Sequence, residues 1–353
     1  RGTGGSFFFA RLKEVIPMLK IGLIGTGRIG KLHGNNISFA VANAKVEAVA
    51  DPKMNDEMRA WAQGLGVTKI YDDPDKIFSD PEIQAVFICS SSESHADLMI
   101  KAAAAKKHIF CEKPIHTDPV AIRKALAAVE KAGVKLQVGF VRRFDHNHKK
   151  VHDVVASGQL GAPHIVKVIS RDPEQQSMEY ISTSGGIFID MTIHDFDMVR
   201  YLSGSEVTEV TAIGTVKIDD RIKAFHDVDT ALVLLKFANG AIGMIENSRA
   251  ARFGYDQRVE VHCDKGSVQD FNDPIDTAVI STNEGIFSTK PKWFFLERYN
   301  DAFIAEAQAF TDSVLNDAPT LVTGKDGLMP VLIAKAAQKS FEEGRTVKLT
   351  EIE

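Results

Sequence analysis

Asp190 and His194 come first, because a carboxylate and an imidazole four positions apart can share a proton or serve one ligand. The run Gly185-Gly186-Ile187-Phe188-Ile189-Asp190-Met191-Thr192-Ile193-His194-Asp195-Phe196-Asp197 reads as a helix that continues through Tyr201-Leu202 and closes at Ser203-Gly204. At helical spacing Asp190, His194, Asp197 and Tyr201 fall on one stripe. Ile187, Met191, Met198 and Leu202 flank it on one side, and Ile189, Ile193 and Phe196 on the other. A helix apolar on both flanks is a buried one, and a buried carboxylate needs a partner. Two readings stay open at this point: a self-satisfied Asp–His pair pinning a core helix, or an acid–base pair at a reaction centre.

The second group lies near the start of the chain. Gly25-Thr26-Gly27-Arg28-Ile29-Gly30 is a G-x-G-x-x-G run between a strand-like and a helix-like segment, with Asp51 closing the next strand. The first two glycines let backbone N–H groups of Gly25 to Ile29 approach a pyrophosphate at a helix N-terminus, and Gly30 permits close helix–sheet packing. A carboxylate at Asp51 would bind a ribose 2′-OH and repel a 2′-phosphate, which favours NAD over NADP, with Lys53 acting against that preference. The other reading of the run is a tight turn beside a solvated Asp.

Two more strand ends carry polar groups. The strand at 85–89 ends in Cys89-Ser90-Ser91-Ser92-Glu93-Ser94-His95, where ligands bind in open α/β sheets. Ser90 and Ser91 are therefore cofactor candidates. Ser94 can equally serve as a helix cap, and His95 either lies beside the cofactor or sits on the surface. The strand at 108–111 runs into Glu112-Lys113-Pro114, and the proline biases Lys113 towards an extended conformation at the strand's carboxyl edge, aimed at the nicotinamide position.

The elements that must position these groups alternate. Continuous apolar runs at 19–24, 46–50, 85–89, 108–111 and 136–140 read as strands, with helices at 55–64, 94–106 and 118–132, a pattern of a parallel sheet covered on both faces. After Asp145 the pattern changes: 164–169, 207–216, 230–237, 241–248 and 258–262 are strand-like and joined by short turns, with a hairpin signal at Asn239-Gly240. Helices near 301–315 and 326–343 close the chain. The expected fold class is α/β, with an N-terminal Rossmann dinucleotide-binding domain at 18–140. A C-terminal α+β domain at 141–353 follows, built on a large, open, mainly antiparallel sheet, and the last helices can pack back on the first domain. An open sheet uncovered on one side exposes an apolar face, so self-association is expected.

Composition narrows the class. The 353 residues are too many for one typical core and suit two domains. A net charge of -5 gives no support for nucleic acid or an anionic membrane surface as a partner. No segment approaches the roughly 18 consecutive apolar residues of a membrane span. Cys89, Cys111 and Cys263 are scattered and odd in number, which fits a reducing, cytoplasmic setting and small core residues. Residues 1–17, with Gly2-Thr3-Gly4-Gly5-Ser6, read as a leader of cloning origin or an unstructured one, separate from the fold. His146, His148 and His152 raise a zinc question, but on a helix His148 and His152 share a face and His146 points elsewhere, so no metal is expected.

Taken together, the glycine loop, Glu112-Lys113-Pro114, Gly139-Phe140-Val141-Arg142-Arg143-Phe144-Asp145 and Asp190-x-x-x-His194 resemble the glucose–fructose oxidoreductase / inositol dehydrogenase (Gfo/Idh/MocA) family from about Met18 to the C-terminus. The fuller strings Gly-Phe-Val-Arg-Arg-Phe-Asp and Asp-Met-Thr-Ile-His-Asp-Phe-Asp-Met are most similar to those of bacterial inositol 2-dehydrogenases. The resemblance implies a catalytic trio at Lys113, Asp190 and His194, substrate contacts from Val141-Arg142, and a second domain whose sheet builds a homotetramer. Tyr255, in the Gly254-Tyr255-Asp256-Gln257-Arg258 turn, is a further substrate candidate. The expected reaction is NAD-dependent oxidation of a secondary alcohol of a cyclic polyol, myo- or scyllo-inositol to the 2-keto inositol. His194 would act as base with Asp190 orienting its imidazole, and Lys113 would bind the reacting oxygen. The alternatives are dehydrogenation of another sugar, an NAD-dependent glycosidase, a non-catalytic NAD sensor and, last, a zinc hydrolase.

Overall fold

The computed structural model describes residues 17–352; the leader expected at 1–17 lies, except for Pro17, outside them. The chain opens with β1 (Leu19–Ile24), α1 (Arg28–Phe39), β2 (Ala44–Ala50), α2 (Asp56–Gly64), β3 (Lys69–Tyr71), α3 (Asp75–Ser79) and β4 (Ala85–Ile88). It continues with α4 (Ser92–Ala104), β5 (His108–Glu112), α5 (Pro119–Ala132) and β6 (Leu136–Gly139). The six strands form one parallel sheet in the order β3-β2-β1-β4-β5-β6. The order reverses between β1 and β4, and a crevice opens there at the strands' carboxyl ends. Apolar side chains pack on both faces, which is why these strands read as unbroken hydrophobic runs. Local chemistry sets the helix ends: Asp118 accepts the N–H of Val120 at 3.0 Å, Pro119 opens α5, and Gly133 closes it at φ 66°.

A 3-10 turn, Val141–Phe144, leads into α6 (His146–Ala156), β7 (Pro163–Arg171), α7 (Met178–Thr183), α8 (Ile187–Asp190) and α9 (Ile193–Ser203). Then come β8 (Val207–Thr215), β9 (Thr230–Phe237), β10 (Ile242–Ser248), β11 (Asp256–Cys263), β12 (Gly266–Asp270), and a separate hairpin of β13 (Val279–Thr282) and β14 (Gly285–Ser288). The chain ends with α10 (Phe295–Arg298), α11 (Asn300–Leu315), α12 (Gly324–Glu343) and β15 (Val347–Lys348). The second sheet runs β12-β11-β7-β10-β9-β8-β15, with only β7 and β10 parallel. Asn239-Gly240 turns β9 into β10, as its sequence signal requires, with Gly240 at φ 89°. α9 and α12 cover one face. The other leaves Ile165, Ile213, Leu232, Leu234 and Ile242 exposed. α11 reaches back, its Ala307 and Phe310 joining the core around Leu19, Leu23 and Phe87. Among the described residues no helix is long and apolar enough to cross a membrane.

One expectation fails here. The helix expected to run unbroken from Gly185 through Leu202 is two, α8 and α9, separated at Met191-Thr192. The Thr192 hydroxyl lies 3.1 Å from the Ile187 carbonyl and 2.8 Å from Asn247 Oδ1, and the Thr192 N–H reaches back five residues to Ile187 O at 2.9 Å. A side chain competing for the backbone interrupts the regular ladder.

Candidate active site

The crevice between the two domains holds a cavity of about 850 Å³, within the range of small-ligand sites. Its floor is the glycine loop. A Cβ on Gly25, at φ 97°, would sit 2.6 Å from Ser90 N, and one on Gly30 would sit 2.0 Å from Gly25 O. A Cβ on Gly27 would meet no protein atom within 4 Å, because this position faces the cavity, at the uncapped N-terminus of α1. Backbone amides at a bare helix start beside open space fit a pyrophosphate. Arg28 and Ile29 border the same space, with the Arg28 guanidinium 5.6 Å from the Phe294 ring.

Asp51 reaches back under the loop: its Oδ2 accepts the Thr26 N–H at 2.7 Å and Oγ1 at 2.8 Å, and its Oδ1 accepts the Lys53 N–H at 2.8 Å. Burial alone would raise this carboxyl, yet the Thr26 and Lys53 hydrogen bonds hold it below its ordinary value. Gly25, Thr26 and Asp51 therefore shape the cradle from beneath. Replacing Asp51 with alanine is expected to lower the ratio of NAD to NADP specificity constants by about tenfold, the value of a hydrogen bond to a charged group. Steady-state kinetics with both dinucleotides check this; an unchanged ratio removes the ribose contact.

The next wall comes from the ends of β4 and β5. Ser90 and Ser91 line the cavity, and Ser90 Oγ lies 2.7 Å from Ser94 Oγ. Ser91, not Ser94, occupies the N-cap position of α4. His95 is buried rather than on the surface, with ring nitrogens 2.8 Å from Pro114 O and 2.9 Å from Ser90 O; burial holds its pKa below the usual value. Glu112 touches the cavity edge but turns inward, its Oε1 2.8 Å from His33 Nε2. Behind His33 lies Glu306, fully buried and pushed well up by that burial and by Glu112. Lys113 projects into the cavity beyond a cis Lys113–Pro114 peptide.

The opposite wall belongs to the second domain. Val141, Arg142, Asp190, His194 and Tyr255 all line the cavity that Lys113 enters. Buried Arg142 is already engaged: it donates to Asp195 Oδ1 at 2.6 Å and to Ser170 Oγ at 3.2 Å, and lies 3.4 Å from the Tyr255 hydroxyl. Burial lifts that phenol to about 12. The expected Asp190–His194 pair is not made. Asp190 Oδ1 accepts from the Tyr180 hydroxyl at 2.6 Å and Oδ2 from Arg249 at 3.0 Å, while His194 Nδ1 is buried without a partner among the described residues. The break at Met191-Thr192 removes the one-turn geometry on which that pairing depended. Asp197 and Tyr201, expected on the same stripe, serve Arg143: Asp197 takes a fork at 2.8 and 2.6 Å, and Tyr201 lies under the guanidinium at 5.0 Å.

Electrostatics distinguish the two central groups. Burial, then the Lys113 and Arg142 cations, hold His194 well below the usual imidazole value, which favours the neutral ring at pH 7. Burial also lowers the Lys113 ammonium, opposed by Asp190 and Glu112.

Several cavity residues escaped the sequence reading. Asp172, beyond the end of β7, is pushed by burial up to about 7. Its signal was present: Arg171-Asp172-Pro173 places a charged residue between a strand end and a proline, as Glu112-Lys113-Pro114 does. Tyr180, Phe294 and Tyr299 line the cavity from short elements with no periodic pattern. The three histidines of α6 do not converge. His152 stacks on Tyr201 at 3.8 Å, and His148 lies between Asp145 and Asp270 where the Arg298 guanidinium already supplies the cation.

Comparison with known proteins agrees with this architecture. Residues 19–140 match the oxidoreductase family with an NAD-binding Rossmann fold, and residues 148–269 match the GFO/IDH/MocA C-terminal domain. The chain belongs to the Gfo/Idh/MocA oxidoreductase family. Like other members it is an NAD-binding oxidoreductase, and the glycine cradle described above fits that cofactor. This family member is 45% identical over 334 residues to a myo-inositol 2-dehydrogenase of Thermotoga maritima, covering 95% of this chain and 99% of that one. It is 41% identical to an inositol 2-dehydrogenase of Rhizobium meliloti, covering 94% and 99%. Among solved structures, scyllo-inositol dehydrogenase from Lactobacillus casei with bound NAD(H) and scyllo-inositol superposes with a TM-score of 0.88 at 31% identity, covering 94% of this chain and 99% of that one.

Proposed function

We propose that the protein oxidises one secondary hydroxyl of an inositol, myo- or scyllo-inositol, to the ketone. The observation that carries this reading is the meeting of Lys113, leaving β5 of the first domain, and His194, opening α9 of the second, in one cavity beside the glycine cradle. The inositol-named relatives favour a cyclic polyol over other sugars.

NAD, when bound on the glycine loop, supplies the hydride acceptor. His194 takes the hydroxyl proton, for which its buried, neutral imidazole is suited. Lys113 donates a hydrogen bond to the same oxygen and stabilises negative charge as it develops there. Asp190, fixed by Tyr180 and Arg249, faces the substrate and offsets the Lys113 charge. Arg142, Tyr255 and Asp172 offer hydrogen bonds to the remaining ring hydroxyls. In this reading residues 18–140 bind the cofactor and 141–353 the substrate, in a cytoplasmic enzyme.

The test is NADH formation with myo-inositol, scyllo-inositol, D-chiro-inositol, D-glucose and L-glucose. NADH should accumulate fastest with an inositol. Accumulation with no cyclic polyol contradicts the reading, and turnover without net NADH would point to glycoside cleavage.

The exposed row Ile165, Ile213, Leu232, Leu234 and Ile242 supports a homotetramer assembled through the second sheet. Leu234→Glu, which leaves the core untouched, is expected to yield smaller species in sedimentation analysis. An unchanged assembly would place the interface elsewhere.

A further inference from the structure

α8 is a single turn, too short to hold its own geometry, yet it ends on Asp190. Its support comes from outside. Arg249, just beyond β10, is 1% exposed. Its guanidinium donates to Asp190 Oδ2 at 3.0 Å and reaches Asp227 Oδ2 at 3.5 Å. Asp227 Oδ1 in turn accepts the N–H of Ile187, the first residue of α8, at 2.9 Å. From the cavity mouth, half-exposed Tyr180 donates its hydroxyl to Asp190 Oδ1 at 2.6 Å. Burying a guanidinium is unfavourable unless carboxylates are placed to meet it. Here those partners grip both ends of one helical turn.

We infer that Arg249 is a positioning residue for the oxidation: it clamps α8 through Asp227 at one end and Asp190 at the other, with Tyr180 as the outer jaw. This role rests on the inositol dehydrogenase reading. The clamp also explains why Asp190 does not pair with His194, since both carboxylate oxygens are already held. Asp172 provides an independent readout. It is faced by Arg249, Asp190, Arg142 and Asp195, and across the cavity by Lys113, Tyr180 and Tyr255; among these the Arg249 charge is what most opposes the burial that raises it.

The experiment compares wild type, Arg249→Leu, Arg249→Lys and Tyr180→Phe with myo-inositol and scyllo-inositol, measuring kcat, KM, NAD affinity, melting temperature and pH profile. Arg249→Leu should lower kcat on the order of 10²-fold, the cost of misplacing a reacting group by about 1 Å. KM and NAD affinity should change little, the pattern of an interaction realised in the transition state. Its pH profile should show the limb near 7, identified by its loss in Asp172→Asn, moved upward. Arg249→Lys, which keeps the charge but not the fork to both carboxylates, should recover kcat only in part. Tyr180→Phe, at a half-exposed site that tolerates the change, should lose about tenfold, as for a hydrogen bond to a charged group. A lower melting temperature with unchanged kcat and pH profile in Arg249→Leu would overturn the role. If that variant does not fold, wild-type kcat in Tyr180→Phe overturns it equally. Wild type inactive on both inositols would remove the functional reading, and this role with it, an outcome distinct from failure in the variants alone.

Discussion

Replacing Lys113 or His194 with alanine is expected to cut turnover of an inositol by about 10²–10⁴-fold, the range for a lost acid–base group. NAD affinity should stay close to that of the parent, because the pyrophosphate cradle is backbone built on Gly25, Gly27 and Gly30. The two variants should differ with pH. In the parent, His194 takes up a proton only well below 6.5, because burial and the Lys113 and Arg142 cations disfavour its charge. Lys113→Ala removes one of those cations, so the histidine limb should move towards higher pH in that variant. Steady-state profiles against pH, with NAD affinity measured separately, check both points. Near-parental rates in either variant end that residue's assignment.

The second large effect concerns stability. Asp145 joins the start of α6 to α10: its Oδ1 accepts the N–H groups of Asn147 and His148 at 3.1 and 3.0 Å, and Arg298 grips both oxygens at 2.5 and 3.2 Å. Both side chains of this ion pair are about 2% exposed. Asp145→Ala strips the cap from α6 and takes from the buried Arg298 guanidinium its hydrogen-bonded counter-ion, leaving only the longer approaches of Asp270 at 3.8 Å and Asp273 at 4.0 Å. The expected loss is about 3–5 kcal/mol, the cost of breaking a buried pair from one side. Replacing Asp145 and Arg298 together by apolar residues should cost less than Asp145→Ala alone, because the guanidinium leaves with its main partner and Asp270, already pushed by burial up to about 7, can take a proton. Denaturant titration of the single and double variants measures this; a change under about 1 kcal/mol in Asp145→Ala would show the pair to be solvated.

Much of the fold was legible because its signals are local. Unbroken apolar runs marked the parallel strands, Asn239-Gly240 marked a hairpin, and a proline after a strand end marked Lys113. β3 escaped because its three residues are all half-buried, and the β13–β14 hairpin because nearly every residue in it is exposed. Neither leaves an alternation to read. The site divides in the same way. Lys113 and His194 stood out by residue type and position, but the partners of Asp190 did not. Arg249 lies 59 positions downstream and Tyr180 sits on a short exposed helix, so neither shares a periodicity with it. The supposed Asp190–His194 pair assumed a continuous helix, and the Thr192 hydroxyl, bonded to Ile187 O and Asn247, interrupts it. Asp172 could have been found by the rule that found Lys113.

A crystal structure of the protein with NADH and the inositol it oxidises fastest tests the central claim most directly. The account predicts Lys113 Nζ and a ring nitrogen of His194 both within hydrogen-bond reach, about 2.6–3.2 Å, of one hydroxyl oxygen on the carbon facing the nicotinamide. An inositol bound with its reacting hydroxyl on other residues, and either Lys113 or His194 turned away from it, would contradict the account.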